Sequence, residues 1–295
     1  MEAFFFRHAL REIVRYFRAR RTAKIITLSL FFLLAASVST GVYLFFVRGF
    51  RAIAADAFFR DALFFYSSEL FFVILFFLIT ASAVITSIFV LFRRPYDFWI
   101  FASPAYRRHA VVACGRVFAS SLWPLLVIAV PALAAVETVF PIGGLALFFV
   151  FAAIVLLAGM SVLFGLDLVY GGAFLLSLIP RQSPFRLSIR TLGMLTAGLY
   201  ALAAIGAWMR IAATDAISLL HATDVDLATA GIDRIAAAFR IFPSHPAARM
   251  LTAFIQNNGA GALYAFLAFA GIFLIFLGIY VLLSRSQLFL WSLLQ

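Results

Sequence analysis

The chain has 295 residues, of which 65% are hydrophobic and only 12% are charged, and its mean hydropathy is +1.10. Soluble domains are about half apolar and about a quarter charged, so this composition excludes an ordinary soluble protein and indicates an integral membrane protein. The net charge is +11. In a soluble protein this excess would suggest nucleic-acid binding. Here basic cytoplasmic loops and anionic lipid explain it better, so we expect membrane lipid and no nucleic acid as a partner.

An amphipathic helix is predicted at the start of the chain, over residues 1–23. Its apolar residues recur at helical spacing and its arginines form a separate stripe: Phe6, Leu10, Ile13 and Phe17; Arg7, Arg11, Arg15 and Arg18. Such a helix lies in the membrane interface with its arginines towards the headgroups. Two interpretations stay open, a connecting helix that also contacts a partner protein and a plain membrane-surface anchor.

Six stretches are long and apolar enough to cross about 30 Å of hydrocarbon. They are residues 25–47, 70–92, 110–136, 145–164, 192–209 and 263–283. Pro124 and Pro131 are expected to kink or interrupt the third stretch. The sequence therefore predicts an all-α, polytopic membrane protein, with six transmembrane helices and the interfacial helix in one domain over residues 1–295.

The connections between these spans contain few signals of their own. Residues 48–69 are predicted to be an external hairpin with mixed charge, and residues 137–144 a tight external turn. The path of residues 165–180 is open. We expect one helix that continues out of the membrane with Asp167 near the inner surface, whereas an Asp167 deep in the bilayer would be a functional candidate by default. Gly193, Gly198 and Gly206 in the fifth span, and Gly271 and Gly278 in the sixth, are expected to allow close packing.

Residues 211–258 are predicted to form short external helices, at the surface or re-entrant, and not a folded domain. The sequence FPSHP at 242–246 ends one helix and starts another that runs to about residue 255. His245 is interpreted as a turn or interface residue, because no histidine has a cysteine or carboxylate at metal-ligand spacing.

The basic residues orient the chain in the membrane. Sixteen of the 23 lie in segments predicted to be inside and seven in segments predicted to be outside. The positive-inside rule then places both termini in the cytoplasm. The acidic residues show the reverse bias, with Glu69 counted as an external residue at the end of the hairpin.

Motifs for catalysis are missing from the sequence. There is no P-loop, no Gly-rich dinucleotide-binding turn and no HExxH. Ion-coupled transporters place paired ionisable residues at mid-membrane, and only Asp167 is even a candidate. We therefore expect a protein that is not an enzyme, with no catalytic, cofactor-binding or metal-binding residues, whose energy source is on another polypeptide.

A polar stretch, RRPYDFWIFASPAYRRH at 93–109, separates the second and third spans. Pro95 and Pro104 bound a helix-length piece over residues 96–103, with Asp97 in its first turn, where a carboxylate suits the helix dipole. Its aromatic residues provide more apolar surface than a tight hairpin requires. Two interpretations are open, a docking helix for a soluble partner and an interfacial helix whose aromatics lie among the headgroups.

This order of elements resembles the ABC-2 type exporter permease, the membrane-spanning subunit of an ATP-binding cassette transporter. The sequence DFWIFASP at 97–104 is similar to that family's D-x-L-L-x-x-S/A-P segment, and FPSHP is similar to its Pro-containing segment before the last span. The resemblance implies that residues 96–103 form the coupling helix, which docks into a groove of the cytoplasmic ATPase subunit. The partner-binding residues would be Asp97, Phe98, Phe101, Ser103 and Pro104. ATP and Mg²⁺ would then be bound by that partner, and no cofactor by this chain.

The function implied by this resemblance is export driven by ATP that a separate nucleotide-binding subunit hydrolyses. The permease would act as a homodimer or heterodimer of six-span units in the bacterial inner (plasma) membrane. The apolar ending at 288–294 also fits the front half of a longer permease with two six-span halves. A non-transporting membrane assembly or anchoring protein remains the alternative. Because the predicted spans show no charged lining, lipid-like, peptide or other amphipathic cargo is favoured over small ions.

Overall fold

The computed structural model describes residues 21–55, 60–91, 106–177, 189–212 and 237–284, and within these ranges it contains α-helices and turns but no β-strand. The α-helices are α1 (Arg21–Ala55), α2 (Arg60–Leu91), α3 (Tyr106–Ser121), α4 (Val130–Val139), α5 (Gly144–Ser177), α6 (Ile189–Ala212), α7 (His245–Ile255) and α8 (Gly259–Ser284). A π-helical turn, Leu125–Ala129, joins α3 to α4.

Six spans in the described residues are long and apolar enough to cross a membrane: Leu28–Ala55, Arg60–Ile88, Cys114–Val139, Gly144–Gly172, Thr191–Ala212 and Gly259–Leu283. The third combines α3, the π-helical turn and α4, and each of the others lies in one helix. The predicted all-α, six-span architecture is confirmed, and the chain is an integral, multi-pass membrane protein. The predicted amphipathic helix over residues 1–23 falls almost entirely outside the described residues.

Most of residues 48–69, predicted to be an external hairpin between the first two spans, is helical. Helix α1 continues to Ala55 and α2 begins at Arg60, so most of that stretch belongs to the two helices. Charged residues do not end a helix, because its backbone hydrogen bonds are made within the helix itself. Glu69 consequently lies inside the second span and not in a loop.

The predicted interruption of the third span is present. Pro131 has no N–H to donate to the carbonyl of Val127 four residues earlier, as an α-helix would require. The backbone between Pro124 and Pro131 is π-helical, and the Ser39 hydroxyl of α1 donates a hydrogen bond to the Val127 carbonyl at 3.3 Å. A hydroxyl group from one span thus provides a hydrogen-bond partner for a backbone carbonyl in the broken helix of another span.

The core of the bundle is the contact between α2 and α5. Buried residues recur along α2 at helical spacing and form one stripe: Phe64, Ser68, Phe72, Leu75, Ile79 and Ala83. At Gly165 of α5 an added Cβ would lie 2.9 Å from the Ala83 Cβ and 3.2 Å from the Thr80 carbonyl oxygen. The Thr80 hydroxyl donates to the Ser161 carbonyl at 3.2 Å. Small and weakly polar residues therefore let these two helices approach closely.

The close packing expected at five glycines of the fifth and sixth spans is found at one of them within the described residues. A Cβ at Gly193 would lie 3.9 Å from the Ile88 Cδ1, an ordinary contact with α2. A Cβ at Gly198, Gly206, Gly271 or Gly278 would meet no atom within 4 Å, so these four positions lie on open faces of α6 and α8. The prediction fails at these four because glycine alone does not show which face of a span meets another helix.

Helix α7 is folded back against the bundle, where it packs on α2, α5 and α8. Its start at His245 and its end at Ile255 agree with the helix predicted after FPSHP. Ala247, Ala248 and Met250 are fully buried. This helix is therefore packed into the bundle through its buried face. Of the rest of the predicted external region over residues 211–258, residues 213–236 lie outside the described part of the chain.

Candidate functional site

A buried pair of ionisable side chains joins two elements that are far apart in sequence. Glu69 lies on α2, roughly 14 Å along the helix axis from Arg60 at 1.5 Å per residue, and His245 is the first residue of α7. The His245 Nδ1 and the Glu69 Oε1 are 2.5 Å apart. The Glu69 side chain is fully buried and that of His245 is 8% exposed.

The local sequence sets the position of His245. Ser244 precedes α7, and Pro246 is in the first turn, where its missing N–H leaves no intrahelical bond unmade. The Glu69 carboxylate, bonded to the side chain of His245, therefore lies near the N-terminal end of α7. An anion at this end of a helix is favoured. Helix geometry and the imidazole thus act together on the same carboxylate.

Three buried polar atoms, one in this pair and two in the residues that precede its members in sequence, have no hydrogen-bond partner within the described residues. They are the Ser68 Oγ, the Glu69 Oε2 and the Ser244 Oγ. We call Ser68, Glu69, Ser244 and His245 the Glu69–His245 cluster. A buried polar atom without a partner costs about 1–3 kcal/mol, and such atoms are few in folded proteins. A protein retains a cluster of this kind against its stability, which is typical of a functional site.

The walls of the cluster are apolar and aromatic. The ring of Phe65 meets the His245 ring edge to face, with centroids 6.3 Å apart. Ser68 also borders a small apolar cavity of about 20 Å³ between α1, α2, α4, α5 and α7, with Phe46, Phe72 and Leu251 among its lining residues. In such surroundings the attraction between an imidazolium and a carboxylate is weakly screened.

The chemistry open to the cluster is proton binding. Neutral imidazole beside ionised carboxylate carries one negative charge, and imidazolium beside carboxylate is net neutral. Among the described residues no group of three or more His, Cys, Asp or Glu side chains could hold a metal ion. Hydroxyls and an imidazole are present, but Ser68 and Ser244 donate to neither partner of the pair, so nothing activates them as nucleophiles.

Asp167, the candidate chosen from the sequence, lies at the opposite end of the bundle from this cluster. It is five residues from the end of its span at Gly172, half-buried, and its Oδ1 makes no hydrogen bond to the described residues. It is therefore not joined to Glu69 in one site. The expectation that only Asp167 could be an intramembrane ionisable candidate is wrong, because Glu69 is more deeply buried.

The five predicted partner-binding residues, Asp97, Phe98, Phe101, Ser103 and Pro104, lie outside the described residues. The structure describes the ends of the helices that flank them: α2 ends at Leu91 and α3 begins at Tyr106. Leu91 is roughly 33 Å along α2 from Glu69. The docking interpretation of residues 96–103 stays a prediction.

Sequence reasoning missed the Glu69–His245 cluster because its two halves are 176 residues apart and no motif spacing connects them. A signal for Glu69 was nevertheless present. Apolar residues at helical spacing continue on its N-terminal side to Phe64, so the second span could have been started earlier, and a carboxylate inside a span is a functional candidate by default. For His245 the sequence showed only a helix start.

Comparison with known proteins assigns no function to this chain, so the function is argued from this geometry and from the residues themselves. No protein-family model, no curated protein and no solved structure matches this chain.

Proposed function

We propose that the chain is the membrane-spanning permease subunit of an ABC-type exporter, driven by ATP hydrolysis on a separate cytoplasmic subunit. The observation that carries the proposal is the order of elements, six spans with a short helix folded back into the bundle just before the sixth. The ABC-2 resemblance rests on this order and on the DFWIFASP segment between spans two and three.

The proposed orientation places both termini and residues 93–109 in the cytoplasm of a bacterial cell, with the chain in its inner membrane. Its support is the bias of sixteen basic residues on that side against seven on the other. The Glu69–His245 cluster then faces the outer half of the membrane, since α2 begins at that end. Homodimerisation or pairing with a second permease belongs to the same proposal.

The cargo we propose is amphipathic, such as a lipid-like molecule or a peptide. The six spans are dominated by apolar side chains, which favours apolar groups over hydrated ions as cargo. Transport energy would come from the partner, since the chain contains no P-loop.

The test is whether ATP hydrolysis accompanies this chain through purification from its native membrane. A Phe98→Ala/Phe101→Ala variant should lose the co-purifying MgATP hydrolysis while inserting normally, because a few buried aromatic anchors dominate such interfaces at about 2 kcal/mol or more each. Hydrolysis is measured as phosphate released per mole of tagged chain.

The matched control removes two phenyl rings from lipid-facing positions. Phe45 and Phe148 are 73% and 65% exposed, so Phe45→Ala/Phe148→Ala should keep the hydrolysis. Equal hydrolysis with all three proteins would contradict the docking role of residues 96–103. No hydrolysis with any of them would favour the assembly or anchoring alternative.

A further inference from the structure

We propose that Glu69 and His245 form a proton-binding site that sets how firmly α7 is held against α2. The ligand is a proton from the water at the Glu69 end of the bundle. The inference needs no ATPase partner and no cargo, so it stands or falls independently of the exporter proposal.

The geometry leaves the carboxylate dependent on the imidazole. Glu69 is fully buried, its Oε1 is bonded to the His245 Nδ1, and its Oε2 has no hydrogen-bond partner in the described part of the chain. If the imidazole is neutral, one negative charge remains in apolar surroundings. If the imidazole is protonated, the pair is net neutral and both partners of the hydrogen bond are charged, so a Coulombic attraction that is weakly screened in these surroundings is added to the bond.

The proton reaches the site through His245 and not through Glu69. The imidazole is the slightly exposed member of the pair. Because an ionised carboxylate only accepts hydrogen bonds, the Nδ1 carries the hydrogen of the bond to Glu69. The imidazole Nε2 therefore takes up the proton. A hydronium ion transfers its proton to Nε2 and leaves as water, and no other bond is made or broken.

Other ionisable groups lie on the elements that pack around the pair, although Asp167 is at the opposite end of the bundle. They are Arg60, Asp61 and Tyr66 of α2; Arg240 and Arg249 of the α7 region; Asp167 and Tyr170 of α5; and Tyr264 and Tyr280 of α8. Of these groups, only Arg249 has an electrostatic effect on Glu69. Like the effect of His245, it favours the ionised carboxylate. Arginine stays charged at every working pH, so Arg249 favours the carboxylate throughout but cannot act as the switch.

The sign of the pH dependence follows from these charges. At intermediate pH the imidazole is protonated and the carboxylate is ionised. In this state α7 is held most firmly. Raising the pH removes the imidazole proton and leaves an unpaired buried carboxylate, so α7 is held less firmly. Strong acid protonates the carboxylate and leaves an unpaired imidazolium beside the positive end of α7, which also weakens docking.

Hydrogen exchange of the full-length protein in lipid nanodiscs measures this directly. We compare the protection factors of the amides in residues 247–255 between about pH 5 and about pH 8, the range in which histidine side chains in general change charge. Residues 263–283 of α8 serve as the internal reference. In the wild type, protection should fall by about tenfold or more towards the alkaline end, since a local opening reports the lost interaction.

Glu69→Gln should reverse the sign of this dependence. With an amide in place of the carboxylate, the protonated imidazole has no counter-charge, so protection should fall towards acid instead of towards alkali. Glu137→Gln is the matched control. It makes the same carboxylate-to-amide change, but Glu137 lies on α4, where its Oε2 accepts a hydrogen bond from the Ile142 N–H, so the wild-type profile should persist.

A second variant covers the case in which Glu69→Gln does not fold. His245→Asn keeps an N–H donor near the Nδ1 position but does not titrate, so its protection factors should be independent of pH. A flat wild-type profile would overturn the proposal. So would an unchanged profile in Glu69→Gln, or a wild-type profile in His245→Asn.

Discussion

The two halves of the helix bundle differ in burial far more than in hydropathy. Half of the most apolar stretch of α2, and half of that of α5, is buried inside the protein, against 6% for α1 and 11% for α8. Yet α8 is as apolar as α2 and α5. Apolar character therefore determines which segments enter the membrane, and it does not determine which of them form the core.

The difference lies in small and polar residues at the contacts. Lipid tails are as apolar as leucine, so the hydrophobic effect does not drive one span against another, and close packing and hydrogen bonds decide instead. The buried half has Thr80, Ser161 and Gly165 at the α2–α5 contact and the Glu69–His245 pair between α2 and α7. The open faces of α1 and α8 present leucine, isoleucine and phenylalanine to the lipid.

The largest expected effect on stability comes from removing one member of the buried Glu69–His245 pair. His245→Ala leaves the Glu69 carboxylate buried without its partner, which should lower the free energy of unfolding by about 3–5 kcal/mol. Tyr264→Ala is the control on a lipid-facing surface, because Tyr264 is 77% exposed, and it should change stability by less than about 0.5 kcal/mol. Unfolding in mixed micelles with increasing SDS measures both. Equal losses would show that the pair does not stabilise the bundle.

A pair of glycine substitutions tests close packing, and the two should differ in sign. Gly165→Ala places a Cβ 2.9 Å from that of Ala83 and 3.2 Å from a backbone oxygen, and such overpacking should cost about 1–3 kcal/mol. At Gly198 the same Cβ meets nothing within 4 Å, so Gly198→Ala should be neutral or stabilise by up to about 1 kcal/mol through helix propensity. Thermal unfolding in one detergent gives both values, and a loss at Gly198 would indicate a contact on that face.

The smallest expected effect concerns the hydrogen bond that spans the proline break. Ser39→Ala removes the donor to the Val127 carbonyl, and hydrogen bonds between spans contribute about 0.6 kcal/mol on average. Ser37→Ala is a close control, because the Ser37 hydroxyl donates within its own helix, to the Leu33 carbonyl. Its loss should leave stability unchanged. The same SDS titration measures the two variants, and no difference between them would mean that the π-helical turn is held by packing alone.

The number of spans and the break in the third could be predicted from sequence, since both depend on local chemistry. A long apolar run must be helical in lipid, and Pro131 cannot donate to Val127 wherever it lies. The start of the second span could not be predicted from charge, because Arg60, Asp61 and Glu69 all lie in a continuous helix. The docking segment at residues 96–103 remains a prediction from its sequence and from the resemblance.

The sequence by itself determined that this protein is an all-α membrane protein of six spans, and that a short helix begins at His245 after two turn-forming residues. Only the tertiary structure decided that this helix folds back into the bundle, that Glu69 is buried against His245, and which faces meet lipid. The reason is physical. Hydropathy, proline and helical spacing act over a few residues, whereas a pairing across 176 residues depends on how the spans pack. In lipid all apolar faces are equally well solvated, so small or polar side chains decide which faces of the spans make contact.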